Sequence, residues 1–125
     1  MAQVRYIVRD VNAAVEFYCE RLGFTLDQQY GAAMAIVARD DLQLWLAGPA
    51  ASASKPMPDG SQPAPGGWNR IVVTVDDLAA TRDSLMGNRV TFLNDIVQGP
   101  GGQQSLCQDP SGNVIELFER AVTPE

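Results

Sequence analysis

A strand-forming run, an acidic cap and an amphipathic helix occur in that order twice in this chain, and the repetition constrains its fold more than any other feature. The first copy runs Val4-Arg5-Tyr6-Ile7-Val8, then Asp10, then Val11, Ala14, Phe17, Tyr18 and Leu22 at helical spacing, with Gly23 as the stop. The second runs Ile71-Val72-Val73-Thr74-Val75, then Asp76-Asp77, then Leu78, Thr81 and Leu85, stopping at Gly87-Asn88. Each part has a local cause. β-Branched and aromatic side chains suit a pleated surface. An aspartate carboxylate accepts the N–H groups that a helix start leaves unbonded. A glycine or asparagine takes the left-handed conformation in which helices commonly end.

Strand material follows each helix. In the first half the patterns predict strands over 24–29, 33–38 and 42–46, with Asp40-Asp41 turning between the last two. In the second half they predict strands over 90–93, 104–108 and 114–119, with Asp109-Pro110-Ser111-Gly112-Asn113 as a strong turn. The expected fold class is therefore α+β: two β-α-β-β-β repeats whose curled mixed sheets surround a cavity. At 125 residues the chain has the size of a single domain. Repeat one takes 1–47, a linker 48–67, repeat two 68–120 and a tail 121–125. The linker, rich in Ala, Ser, Pro and Gly, reads as a surface segment open to motion. The tail Thr123-Pro124-Glu125 reads as frayed.

Strand alternation sorts the side chains into two faces. Val4, Tyr6 and Val8, Leu42, Leu44 and Leu46, Ile71, Val73 and Val75, and Ile115 and Leu117 make aliphatic faces that should pack under the helices. Gln3, Arg5 and Ile7, Gln43 and Trp45, Arg70, Val72 and Thr74, and Glu116 and Phe118 mix charge, amide and aromatic groups. Those faces read as the cavity lining.

Composition excludes several roles. The net charge of −6, with no basic cluster, disfavours nucleic acid. No apolar run approaches the ~20 residues of a membrane span, and the first residues lack a signal-peptide layout. Two cysteines far apart, Cys19 and Cys107, build no disulfide framework, so a reduced cytoplasmic setting is expected. Histidine is absent, which leaves Cys107 without an imidazole base and reads it as inert. Gly99-Pro100-Gly101-Gly102 lacks the strand–loop–helix context of a phosphate cradle and reads as a loop bordering the cavity.

Two stretches carry a family resemblance. The pattern Asp10-Val11, Ala14, Phe17-Tyr18, Leu22-Gly23-Phe24 after a strand, together with Asp109-Pro110-Ser111-Gly112-Asn113-Val114-Ile115-Glu116-Leu117-Phe118, resembles the vicinal oxygen chelate superfamily. That superfamily contains glyoxalases, extradiol dioxygenases, fosfomycin-resistance enzymes and bleomycin-resistance binding proteins. The resemblance covers nearly the whole chain apart from 48–67 and implies the fold, but no single activity. Members with chemistry hold a divalent metal on the cavity face through a His on the first strand, a His on the fifth and a Glu on the closing strand. The positions here that match are Gln3, Arg70 and Glu116, with Gln43 as the first-half counterpart of Glu116. A guanidinium repels a cation and an amide oxygen is a weak ligand, so no metal and no other cofactor are expected.

The candidate site residues are accordingly Gln3, Arg5, Gln43, Trp45, Arg70, Glu116 and Phe118. Arg70 and Glu116 are expected to face each other. Either Arg70, with Arg5, meets an anionic or carbonyl group of a ligand, or it only neutralises Glu116. Trp45 and Phe118 either stack on a planar ligand or fill core, while Trp68 reads as structural and Phe17 and Tyr18 as core. The first functional reading is a metal-free protein binding a small organic molecule, as a homodimer. The alternative is a lyase, isomerase or dioxygenase-like enzyme in which Glu116 is the catalytic base, with a non-standard metal site or none. A ligand-sensing module without chemistry is the third.

Overall fold

The computed structural model describes residues 1–122; the expected fraying of 123–125 lies outside the described residues. The repeat is realised as two four-stranded sheets of identical topology. The elements run β1 (Ala2–Ile7), α1 (Val11–Glu16), β2 (Thr25–Tyr30), β3 (Met34–Arg39), β4 (Leu42–Ala47), β5 (Ile71–Thr74), α2 (Leu78–Gly87), β6 (Val97–Gly99), β7 (Gly102–Gln108) and β8 (Val114–Arg120). One sheet is ordered β1-β4-β3-β2 and the other β5-β8-β7-β6, both curled rather than closed. In each, the first and last strands of the repeat pair in parallel and the remaining pairs are antiparallel. The chain divides into two compact units, Met1–Gly66 with Pro110–Asn113, and Gly67–Asp109 with the chain from Val114 onward.

The caps act as the sequence predicts. Asp10 accepts from the Ala13 N–H and Asp77 from the Ala80 N–H, both at 3.0 Å. In the first unit α1 runs into a wider, π-helical turn, Phe17–Arg21, that leaves Phe17 and Tyr18 both buried. Their rings meet edge to face at 5.1 Å, and Tyr18 meets Phe24 at 5.4 Å. Gly23, at φ +73°, reverses the chain out of this turn. Val37, Leu44 and Leu46 lie fully buried beneath. In the second unit Leu78 and Leu85 of α2 belong to a core with Val73, Ile115 and Leu117.

Three expectations need correction. Residues 90–93 form no strand: only Phe92 bridges to Cys107, and the sheet edge is β6 instead. The cause is side-chain competition for the backbone. Asn94 Oδ1 accepts the Leu106 N–H at 2.8 Å. Arg82 of α2 lies over the Phe92 ring at 5.0 Å and donates to the Asn94 carbonyl at 3.1 Å, drawing the segment toward the helix. Second, Gly99 and Gly102 are strand residues joined by a tight Pro100-Gly101 turn, not part of a loop. Third, the linker lies mostly at the surface as expected, but it is tied to the first unit at both ends. Ala51 and Ser54 are buried, Ser54 Oγ donates to the Gly48 carbonyl at 2.7 Å, and the Gly66 N–H donates to Asn113 Oδ1 at 2.8 Å.

Candidate functional site

The polar–aromatic face of the first unit is assembled by strand register. Parallel pairing of β1 with β4 sets Gln3 beside Gln43 and Arg5 beside Trp45, while β3 brings Ile36 to the other side of Trp45. Gln43 Oε1 accepts from Trp45 Nε1 at 3.2 Å and from Gln3 Nε2 at 3.3 Å. The Arg5 guanidinium carbon stands 5.1 Å from the centre of the Trp45 ring, within cation–π range. The four candidate site residues of this face therefore come together.

In the second unit β5 pairs in parallel with β8, setting Val72 beside Glu116 and Thr74 beside Phe118, with Arg70 just before the strand. Arg70 and Glu116 meet as expected. Arg70 Nε and Nη2 donate to the same oxygen, Glu116 Oε1, at 3.0 and 2.9 Å, and Nη1 donates to the Trp68 carbonyl at 3.4 Å. This is not the two-oxygen fork that a guanidinium can make with a carboxylate. The side chains are 29% and 14% exposed, so the pair is neither a surface bridge nor a sealed one. Phe118 is half-buried beside Gln104 of β7.

Sequence reasoning missed Gln104. Its amide nitrogen can reach Glu116 Oε1 at 2.8 Å and Oε2 at 3.2 Å. The signal was available in the alternation of β7, which puts Gln104, Leu106 and Gln108 on the face of Glu116. Trp68 is corrected: it is 73% exposed and packs into no core, because Gly66 and Gly67 hold left-handed φ values before it and keep this segment out of a strand. Cys107, expected to be inert for want of an imidazole, is in addition buried. Burial, aided by the Asp109 charge, pushes its thiol up to about 12, which suppresses the thiolate.

The donor set can be tested against the divalent metal that the family resemblance implies. Among the described residues no three His, Cys, Asp or Glu side chains gather as a metal site. Glu116, the one strong ligand on these faces, already faces a guanidinium at 2.9 Å. A second cation placed there would be repelled by the first. Gln43 Oε1 accepts two hydrogen bonds from its own neighbours. These residues do not fit a transition-metal centre.

Two cavities are lined by none of the seven candidate residues. One of about 190 Å³ in the first unit is lined by Ile7, Arg9, Pro49, Ser54 and Pro63 among others. One of about 220 Å³ in the second is lined by residues that include Gln98, Gln103, Glu119 and Arg120. Glu119 there is engaged, accepting the Leu78 N–H at 2.7 Å and Gln103 Nε2 at 3.2 Å.

Comparison with known proteins adds the following. The family model described as Glyoxalase/Bleomycin resistance protein/Dioxygenase superfamily matches residues 1–117. A solved member of that superfamily from Sphaerobacter thermophilus DSM 20745 is 27% identical, with 96% of each chain covered and a TM-score of 0.74. TnmS3, an antibiotic binding protein from Streptomyces sp. CB03234, is 27% identical over 97% of this chain and 98% of its own, with a TM-score of 0.68. A lactoylglutathione lyase from Agrobacterium tumefaciens shares the fold at 18% identity, covering 95% of this chain and 92% of that one, with a TM-score of 0.72. No curated protein sequence matches the chain.

Proposed function

The chain belongs to the glyoxalase/bleomycin resistance protein/dioxygenase superfamily, and we propose that it binds a small organic molecule without a transition-metal centre. The observation that carries this reading is the Arg70–Glu116 contact at 2.9 Å, a cation standing against the carboxylate at the closing-strand position where metal-holding members have their Glu. The residues that would meet a ligand are Gln3, Arg5, Gln43 and Trp45 on the sheet face of the first unit and, on the second unit taken by itself, Arg70, Glu116 and Phe118. The mixture of aromatic surface with few, placed polar groups suits recognition of small organic compounds. The resemblance to an antibiotic binding protein supports the ligand class in its broad outline. The reading keeps the homodimer and the cytoplasmic setting expected from sequence; the six exposed residues of edge strand β2 support pairing.

Metal analysis tests the proposal. Protein purified without chelator is expected to hold well under one zinc, nickel, manganese or iron per chain, and added metal to leave its melting temperature unmoved. An ion bound at 100 times its Kd would stabilise the fold by about 2.7 kcal/mol, a shift on the order of 10 °C for a domain of this size. One tightly held ion per chain, lost in Glu116→Gln, overturns the reading.

A further inference from the structure

We propose that the face built by Gln3, Arg5, Gln43 and Trp45 selects planar aromatic carboxylates, with Arg5 rather than Arg70 as the anion anchor. This rests on the small-molecule-binding reading above and names its ligand class. The argument is one of unused donors. Arg70 commits Nε and Nη2 to Glu116 Oε1 and Nη1 to the Trp68 carbonyl, and its charge is neutralised at contact distance. Arg5 has no acceptor among the described residues; its one contact is with the Trp45 ring at 5.1 Å. A cation held over a ring is held by its charge, so the guanidinium keeps its N–H groups for an oxyanion.

The amides point the same way. Both Trp45 Nε1 and Gln3 Nε2 donate to Gln43 Oε1, which turns the Gln43 amide around so that its own N–H groups are left without a described acceptor. The face thus offers a guanidinium and an amide NH₂ beside a half-buried indole. It offers these donors and an aromatic plane, with the Gln3 Oε1 as a neutral acceptor and no carboxylate among its four side chains. Of the residues on β1 to β4 only Asp27, at the bulge of edge strand β2, is acidic. Asp40 and Asp41 stand at the turn into β4, at the end of this face rather than on it, and salt screens charge over roughly 8 Å at physiological ionic strength. A ring carrying a carboxylate fits: the ring packs on Trp45, and the carboxylate takes the Arg5 and Gln43 donors.

The test uses the full chain carrying Trp68→Phe. Trp68 is 73% exposed, so the change perturbs little, and it leaves Trp45 with the single indole N–H signal in a proton–nitrogen NMR spectrum. That signal is followed on titration with naphthoate, neutral naphthamide and cationic naphthylmethylamine. Naphthoate is expected to shift it and to bind about tenfold more tightly than naphthamide, the scale of a charge-assisted hydrogen bond. Arg5→Met should abolish that preference, Arg5→Lys should restore part of it, and Arg21→Met, at an exposed cation outside the candidate site, should leave it intact. Equal binding of the three probes, no binding of naphthoate, or a preference removed by Arg70→Met and not by Arg5→Met overturns the proposal. Binding of naphthamide or the amine without metal would still leave the broader reading standing, whereas a bound metal ion would remove that reading whatever the probes do.

Discussion

Breaking the Arg70–Glu116 contact measures how far it is structural. Exposed ion pairs contribute about 0–1 kcal/mol, whereas removing one partner of a sealed pair costs about 3–5 kcal/mol. With side-chain exposures of 29% and 14%, this pair falls between those limits, and the two ends are unequal. Glu116→Gln leaves an amide oxygen in place for Arg70, whose more exposed guanidinium can also turn to water. The expected loss is about 1 kcal/mol. Arg70→Met strands the more enclosed carboxylate with only the Gln104 amide nearby, so about 2 kcal/mol is expected. The double change Arg70→Met, Glu116→Leu should lie within about 1 kcal/mol of the parent, because it removes both charges and keeps the apolar volume. Urea denaturation of the parent and the three variants gives the cycle, and repeating it at high salt should shrink the coupling. Single losses above about 3 kcal/mol would show a sealed pair, and losses below about 0.3 kcal/mol would show that no bond persists in solution; either result refutes the reasoning from partial exposure.

Two further outcomes follow from the second unit. Gly102 sits at φ +148°, and a Cβ there would run into the Glu119 carbonyl oxygen of the neighbouring strand, while Gly101 has open space around it. Gly102→Ala should therefore cost more than about 2 kcal/mol and Gly101→Ala little, both read by thermal melting. The Cys107 thiol, raised from 9.0 to about 12, should resist iodoacetamide at neutral pH until the chain unfolds. Because its folded value lies above its unfolded one, the stabilisation is fully present below about pH 9 and is lost as pH rises toward about 12. Cys107→Ala should flatten that alkaline limb of a denaturation–pH profile, and an unchanged limb would sink the assignment.

How much of this was legible in sequence depends on the range of the interactions. The caps at Asp10 and Asp77, the stop at Gly23 and the alternation of β1, β4, β5 and β8 are local: each depends on residues within one helical turn or one strand, and each was readable from spacing alone. Alternation put Gln3, Arg5, Gln43, Trp45, Arg70 and Glu116 on the polar faces, and the family resemblance, by matching Gln3, Arg70 and Glu116 to its metal-ligand positions, implied that Arg70 meets Glu116.

Other features depended on partners distant in sequence. Residues 90–93 carry a strand-like pattern, yet their pairing with β7 stops at the Thr91 carbonyl and the Leu93 N–H, because Asn94 Oδ1 takes the Leu106 N–H that the next rung would use and Arg82 takes the Asn94 carbonyl. The segment after β4 reads as a linker by composition, but Ser54 finds the Gly48 carbonyl and Asn113 finds the Gly66 N–H, the second from 47 residues away. Trp68 has the side chain of a core residue and two glycines before it that keep it from any core. Sequence alone determined the repeat, its caps and the chemistry of each sheet face. Tertiary structure decided which donors are spent: a guanidinium is the same group at Arg5 and Arg70, and only the placement of Glu116 and Trp45 leaves one of them with N–H groups to offer.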